Sequence, residues 1–174
     1  MENKTTETCN GSYTMAFLVL RLWLAVRAIV TGIEKFGAYK ITQQTIVDKV
    51  TGMEDVSGGS LEVPVKYYSI SNYSGIPTSL KDKFNNEALL PHPLLTAFDH
   101  VLGPLLILTG VMLLIGLATR LSLFLQGLLY VMLTVGLILI HQDEGVAWLG
   151  IHVALVAFAL ILSKHDKFAI LAKW

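Results

Sequence analysis

The sequence predicts an all-α membrane protein, a four-transmembrane-helix bundle with a long extracytoplasmic loop between helices 1 and 2. Of its 174 residues, 53% are hydrophobic and only 15% are charged, whereas a soluble domain usually carries about 25% charged residues. The charges are unevenly distributed, since Arg120 is the only one from Val101 to Ile140. Mean hydropathy is +0.60, and four apolar runs each approach the roughly 20 residues that cross about 30 Å of hydrocarbon.

These four runs give the predicted spans of a single membrane domain. We place them at about residues 15–36, 97–117, 121–140 and 146–162. Ala118–Arg120 joins spans two and three so closely that the two helices must be antiparallel neighbours. Gly103-Pro104, one turn inside span two, predicts a kink there, because proline removes a backbone donor. Glycines recur along the spans, which allows close helix contact in lipid.

The predicted extracytoplasmic loop is Tyr39–Pro93, between spans one and two. Within it, Ile41–Val50 is mildly amphipathic and indicates a short interfacial helix, whereas the alternation in Leu61–Ile70 indicates a strand or extended segment. A structureless loop of this length is usually functional or ordered by a partner. We therefore expect an extracytoplasmic partner to bind residues 39–93. The alternative is a lid that packs on its own bundle.

Charge asymmetry predicts the orientation in the membrane. The short segments on the side of the termini are basic, with Lys4, Arg120, Lys164, Lys167 and Lys173. The opposite short loop, His141–Gly145, contains two acidic residues and no lysine or arginine. By the positive-inside rule, both termini are predicted to be cytoplasmic. Formal net charge is zero, so nothing indicates nucleic acid as a partner.

Polar residues inside the spans are the candidate site residues. Arg27 lies near the middle of span one, where a cation costs several kcal/mol unless it is paired or reaches water. At about 1.5 Å per residue, Arg27 lies roughly 15 Å and His152 roughly 12 Å below the outer boundary, so the two are candidates to face each other. Glu34 follows on nearly the same helix face, about 10 Å closer to the outside. Asp99 and His100 open span two at the outer edge.

Three chemistries fit such a set unequally. A quinone headgroup needs donors to its carbonyls and a proton route, which Arg27 and His152 as donors and Glu34 or Asp99 as proton acceptors would supply. A b-type haem needs two histidines across a bundle, but His100 and His152 differ by about 6 Å in depth, which disfavours haem. No tight spacing of ligands supports a metal site. The alternative to a ligand site is an ion-pair network that fixes helix register.

Three stretches of the spans carry a family resemblance. They are Leu20–Leu22, Gly32–Phe36, and the glycine-spaced Gly110–Arg120, which ends in Thr-Arg. These stretches resemble the DoxX-like family of small four-span membrane proteins, which includes the DoxD subunit of thiosulfate:quinone oxidoreductase. Where such proteins usually have an acidic residue opening span two, this chain has Asp99-His100. The resemblance covers the four spans and does not cover residues 39–93.

The resemblance implies a redox, quinone-linked role in a bacterial or archaeal cell (inner) membrane. We expect a membrane subunit of a redox complex, similar to thiosulfate:quinone oxidoreductase, with a quinone as cofactor and with lipid and other subunits as partners. Arg21 coincides with a family position and lies at the depth of Gln126, so we expect it to hold the fold. The second hypothesis is non-enzymatic: an anchor or assembly subunit whose polar cluster only keeps the helices in register.

Overall fold

The four predicted membrane-spanning helices are present. A computed structural model describes residues 2–45, 60–87, 90–166 and 170. Its elements are α1 (Glu2–Glu34), β1 (Gly37–Thr45), β2 (Ser60–Tyr68), α2 (Thr78–Asn85), α3 (His92–Ile115), α4 (Thr119–Leu139) and α5 (Asp143–Leu162), with single 3-10 turns at Ile70–Asn72 and Ser163–His165. Four segments are long and apolar enough to cross a membrane: Gly11–Glu34, His92–Ile115, Thr119–Leu139 and Asp143–His165.

The start of the second spanning helix differs from the predicted boundary. Helix α3 begins at His92, directly after Pro91 and with Pro93 in its first turn. Proline suits this position because its fixed φ matches the helix and its missing N–H would have no partner there. Asp99 and His100 therefore lie well inside α3 instead of opening it. The Asp99-His100 pair marks where the helix becomes strongly apolar, and not where it begins.

Helices α1 and α3 are in close contact at glycines. A Cβ atom on Gly110 would lie 2.8 Å from Ile29 Cγ1 and 2.9 Å from the Ala25 carbonyl oxygen. A Cβ atom on Gly32 would lie 2.6 Å from Ile107 Cγ1. Because neither glycine has a side chain, the two backbones approach closely, which favours helix association in lipid. This contact fixes the relative height of α1 and α3.

The C-terminal end of α3 is capped by Gly116 and by Arg21. Gly116 adopts a φ of 82°, the left-handed conformation in which helices commonly end. The buried Arg21 donates to the Leu113 carbonyl oxygen at 2.7 Å and to that of Leu114 at 3.1 Å. It also forms an ion pair with Asp166 at 3.2 Å. Arg21 thus bonds α3 and the segment after α5, whereas Gln126 has other partners.

The segment between α1 and α3 is not the long loop that the sequence predicted. Strands β1 and β2 form a two-stranded antiparallel sheet, with Gly37 opposite Tyr68. The extended conformation predicted in Leu61–Ile70 is confirmed as far as Tyr68. The predicted helix at Ile41–Val50 is wrong for residues 41–45, which lie in β1, and residues 46–50 lie outside the described residues. Isoleucine and threonine favour strands when a partner strand is available.

Residues 69–87, here called the cap, are bound to α3 through Tyr73. Pro104 has no N–H, so the carbonyl oxygen of His100 lacks its usual helical donor. The Tyr73 hydroxyl lies 3.1 Å from this oxygen and donates to the Asp99 carbonyl oxygen at 2.5 Å. It also accepts a hydrogen bond from Gly103 N–H at 3.0 Å. The cap therefore binds α3 beside Gly103-Pro104, where the sequence predicted a kink.

Candidate functional site

Glu34, a predicted proton acceptor, joins α1 to the β1–β2 sheet. Its carboxylate forms an ion pair with Lys66, and the Tyr68 hydroxyl donates to it at 3.4 Å. The hydrogen bond to Glu34 raises the pKa of Lys66 above its ordinary value, against the opposing effect of desolvation. The Lys66 amine also lies 5.9 Å and 5.5 Å from the ring centroids of Tyr39 and Tyr68. Glu34 is thus the C-terminal residue of α1, exposed and bonded to the sheet.

Asp99, the second predicted proton acceptor, binds the cap to α3. One carboxylate oxygen accepts the Ile76 N–H at 2.6 Å, and the other forms an ion pair with Lys81 at 2.7 Å. Both oxygens are therefore engaged in contacts that hold the cap. Its role in proton transfer stays a prediction, and the contacts themselves are those of a structural carboxylate.

His100 lies on the exposed face of α3, where its Nδ1 atom is 2.8 Å from the Thr96 carbonyl oxygen. His152 is buried in α5, with its Nδ1 atom 2.8 Å from the Trp148 carbonyl oxygen. Each ring therefore contacts its own helix. The described contacts do not bring the two histidines together, so they give no support to a haem held between them.

His152 contacts Tyr130 of α4 in the middle of the spans. The ring centroids are 5.5 Å apart and the planes meet at 69°, an edge-to-face arrangement that aromatic rings favour. His152 is only 7% exposed. Its Nε2 atom is buried and has no hydrogen-bond partner among the described residues. Because Nδ1–H donates to Trp148, Nε2 of the neutral ring is a hydrogen-bond acceptor without a donor.

Tyr130 is also bonded to Gln126, one helical turn before it. The Gln126 amide donates to the Tyr130 hydroxyl at 2.8 Å and to the Leu24 carbonyl oxygen of α1 at 3.1 Å. Gln126 is fully buried, and its Oε1 atom has no partner in the described part of the chain. The Tyr130 hydroxyl accepts in this bond, and its own proton has no acceptor among the described hydrogen bonds. Buried polar groups normally have partners, so these unused atoms point to a missing one.

Arg27 lies on the exposed surface of α1, three residues after Leu24, whose carbonyl oxygen accepts from the Gln126 amide. Within the described residues it makes no hydrogen bond or ion pair. It lies about 10 Å inward from Glu34 along the helix, where an unpaired cation facing lipid is costly. The sequence predicted that Arg27 and His152 would face each other. In the described contacts His152 meets Tyr130, and no contact joins Arg27 to His152.

Arg27, Gln126, Tyr130 and His152 are here called the mid-membrane cluster. Sequence reasoning found Arg27 and His152 from their depth and missed Tyr130, which it read as part of an apolar helix. Its position four residues after Gln126 was an available signal, since residues at this spacing share a helix face. Glu34 and Asp99 bind the sheet and the cap instead and do not join this cluster.

Within the described ranges, no group of three or more histidine, cysteine, aspartate or glutamate side chains is arranged to hold a metal ion. The chain matches no protein-family model, no curated protein and no solved structure. The four helices and the mid-membrane cluster define the class of protein: a membrane protein with four apolar spanning helices that carry a few polar residues. Its similarity to the DoxX-like family stays a prediction.

Proposed function

We propose that this protein is a quinone-interacting membrane subunit of a redox complex, similar to the DoxD subunit of thiosulfate:quinone oxidoreductase. One observation carries the proposal: the mid-membrane cluster has both donors and acceptors that lack partners. Arg27 and the Tyr130 hydroxyl can donate, and His152 Nε2 can accept. A quinone headgroup, which has two carbonyl oxygens and becomes a quinol with two hydroxyls, needs this combination.

The hydrogen bonds around the cluster support one set of roles for its residues. A quinone carbonyl would accept from the Arg27 guanidinium and the Tyr130 hydroxyl. A quinol hydroxyl would donate to His152 Nε2, because Nδ1–H is already bonded to Trp148. His152 then acts as a hydrogen-bond acceptor through Nε2, whereas the sequence suggested a donor to the carbonyl. Reduction of each quinone to the quinol would take two electrons from an extracytoplasmic partner on residues 39–93 and two protons from water.

The surface around Arg27 supports entry of the ligand from lipid. Trp23, Val26 and Val30 are 55%, 51% and 46% exposed on the same helix, as expected for side chains that contact acyl chains. A quinone dissolved in the bilayer would reach Arg27 without crossing the bundle. The proposed orientation, with both termini in the cytoplasm, puts residues 39–93 on the side of the electron donor.

The test is a quinone titration of the purified protein in lipid nanodiscs. Arg27→Met and His152→Ala should each weaken binding of a short-chain quinone by about tenfold or more, because each removes a polar partner from an apolar environment. Arg120→Met is the matched control, since Arg120 is exposed at the α3–α4 link and should not affect binding. Unchanged affinity in both cluster variants would sink the assignment.

The second candidate is an anchor or assembly subunit without a ligand. It is favoured by Glu34 and Asp99, whose charges are used to hold the sheet and the cap. This candidate predicts that cluster variants lose partner subunits without a specific loss of electron transfer. Native mass spectrometry of the mutant complexes separates the two candidates, because a ligand-site variant should keep its partners.

A further inference from the structure

A cavity of about 390 Å³ lies between the outer halves of α3 and α4, beneath the cap. Phe98 and Leu102 line it from α3, Met132 and Leu137 from α4, and Leu80 from the cap. Its volume falls within the roughly 300–1,000 Å³ of small-molecule sites. None of the residues of the mid-membrane cluster lines it. It is therefore separate from the proposed quinone site.

Lys35 is the one charged residue in the lining of this cavity among the residues that the structure describes. Its amine has no hydrogen bond or ion pair in that part of the chain. Burial lowers the pKa of Lys35, and the nearby Asp99 carboxylate partly opposes this effect. An amine in an apolar cavity without a bonded partner is a frequent mark of a binding site.

The charged groups around the cavity carry one positive charge in excess, which one anion would balance. Asp99 is already paired with Lys81 at 2.7 Å and also accepts from the Ile76 N–H. Lys81 and Asp99 therefore balance each other, and the Lys35 ammonium is the positive charge that no described carboxylate pairs with. A neutral quinone would suit the cavity poorly, because its second carbonyl would lie among apolar side chains without a donor.

The cavity is open toward the bilayer. Met132 and Val135, both in its lining, are 45% and 52% exposed on the apolar surface of α4. An acyl chain could therefore enter sideways from lipid, while its head remains at the outer end near Lys35. A lipid with two chains would leave one of them outside this space.

We propose that this cavity binds one long-chain fatty acid, with its chain between α3 and α4 and its carboxylate on the Lys35 ammonium. The chain replaces lipid contacts with the apolar walls, and the carboxylate supplies the partner that Lys35 lacks. This inference does not depend on the redox proposal, because the two sites share no residue.

The test measures binding of radiolabelled palmitate to the full chain in phosphatidylcholine nanodiscs. The wild type should bind palmitate saturably, with one molecule per chain. Lys35→Met should weaken binding by about tenfold or more, and Lys35→Arg should restore most of it, because the charge is the recognised feature. Lys40→Met is the matched control, since Lys40 is exposed on β1 and should leave binding unchanged. Palmityl alcohol, which has no charge, should bind to Lys35→Met and to the wild type with equal affinity.

Several outcomes would overturn the proposal. These are non-saturable palmitate binding, equal affinity in Lys35→Met and the wild type, or displacement of palmitate by equimolar short-chain quinone or phosphatidylglycerol. Should Lys35→Met not fold, Met132→Trp is the second variant: it fills the mouth of the cavity and must abolish saturable binding. Loss of palmitate binding with intact quinone binding, and the reverse for Arg27→Met, keeps the failures of the two proposals distinct.

Discussion

Arg21 Nε of α1 donates to the carbonyl oxygen of Leu113 in α3 at 2.7 Å. The last carbonyls of a helix have no partner within it, and a cation near them also interacts favourably with the helix dipole. Arg21 therefore caps α3 from a different helix, while its ion pair with Asp166 balances its charge. This role separates it from Arg27, which lies in the same helix and has no such partner among the described residues.

Replacing Arg21 should destabilise the fold much more than replacing Arg27. Arg21→Met leaves the buried Asp166 carboxylate without its ion pair, and breaking a buried pair costs about 3–5 kcal/mol. Arg27→Met removes an exposed cation without a bonded partner among the described residues, so it should not lower the free energy of unfolding. Denaturant unfolding of both variants in detergent, followed by circular dichroism, measures the difference. Equal losses would contradict the division of roles.

Removing the Tyr73 hydroxyl should loosen the cap. Tyr73→Phe leaves Gly103 N–H without this acceptor and the Asp99 carbonyl without this donor, at a cost of about 1–3 kcal/mol. We expect faster hydrogen exchange in residues 73–85 of the variant, measured by mass spectrometry. Tyr67→Phe, on the exposed sheet, is the control and should exchange as the wild type does. Unchanged protection of the cap in Tyr73→Phe would contradict the role assigned to its hydroxyl.

A methyl group at the α1–α3 contact should be destabilising. Gly110→Ala would bring its Cβ atom to 2.8 Å from Ile29 Cγ1, and such overpacking costs about 1–3 kcal/mol. Gly150→Ala is the matched control in α5, because a Cβ atom there meets nothing within 4 Å. Thermal unfolding should show a lower midpoint for Gly110→Ala only. If both variants behave alike, close packing does not hold this pair of helices together.

Palmitate affinity should fall as pH rises, and at lower pH than for an ordinary lysine. Burial lowers the pKa of Lys35, an effect that the nearby Asp99 carboxylate partly opposes, so the Lys35 ammonium loses its proton at a lower pH than that of an ordinary lysine. In the ligand-free protein, the unfolded chain then binds more protons than the folded protein does. The free energy of unfolding therefore rises with pH between the lowered pKa of Lys35 in the folded protein and its ordinary pKa in the unfolded chain. Binding measured from about pH 8.5 to about pH 10.5 tests this. Lys35→Arg stays charged and should show no such fall.

Glu34 should prove dispensable for quinone binding. Glu34→Gln removes the ion pair between Glu34 and Lys66, whose side chains are 46% and 31% exposed, respectively, and solvent-exposed ion pairs contribute little to stability. We expect unchanged quinone affinity and a small loss of order in the β1–β2 sheet, visible as faster hydrogen exchange in residues 60–68. A loss of quinone affinity comparable to that of Arg27→Met would contradict this prediction and show that Glu34 belongs to the quinone site.

Hydropathy was sufficient to predict the spanning helices, but not the segment between the first two. An apolar run of sufficient length must form hydrogen bonds within itself in lipid, so its helical conformation follows from local sequence alone. Residues 41–45 are different, because a strand depends on a partner, here residues 60–64. Mild amphipathic spacing cannot reveal that partner, and the predicted interfacial helix was wrong there for this reason.

The candidate sites were predictable only in part. The depth of Arg27 and His152 follows from helix rise and indicated a shared level in the membrane. The contact between His152 and Tyr130 depends on how α4 rotates against α5, which rise alone does not give. Lys35 lies just past the end of α1, and its burial depends on the cap folding back over α3. No local pattern around Lys35 contains that information.

The sequence by itself determined the class of fold, because the hydrophobic effect and the need for satisfied backbone bonds act on each apolar run separately. It also determined which polar residues are costly in the membrane. Only the tertiary structure decided where each of them lies: Arg21 caps α3, Asp99 holds the cap, and Arg27 stays on the exposed surface of α1. Ion pairs and hydrogen bonds require atoms within a few ångströms, and such distances arise only when separate helices come together.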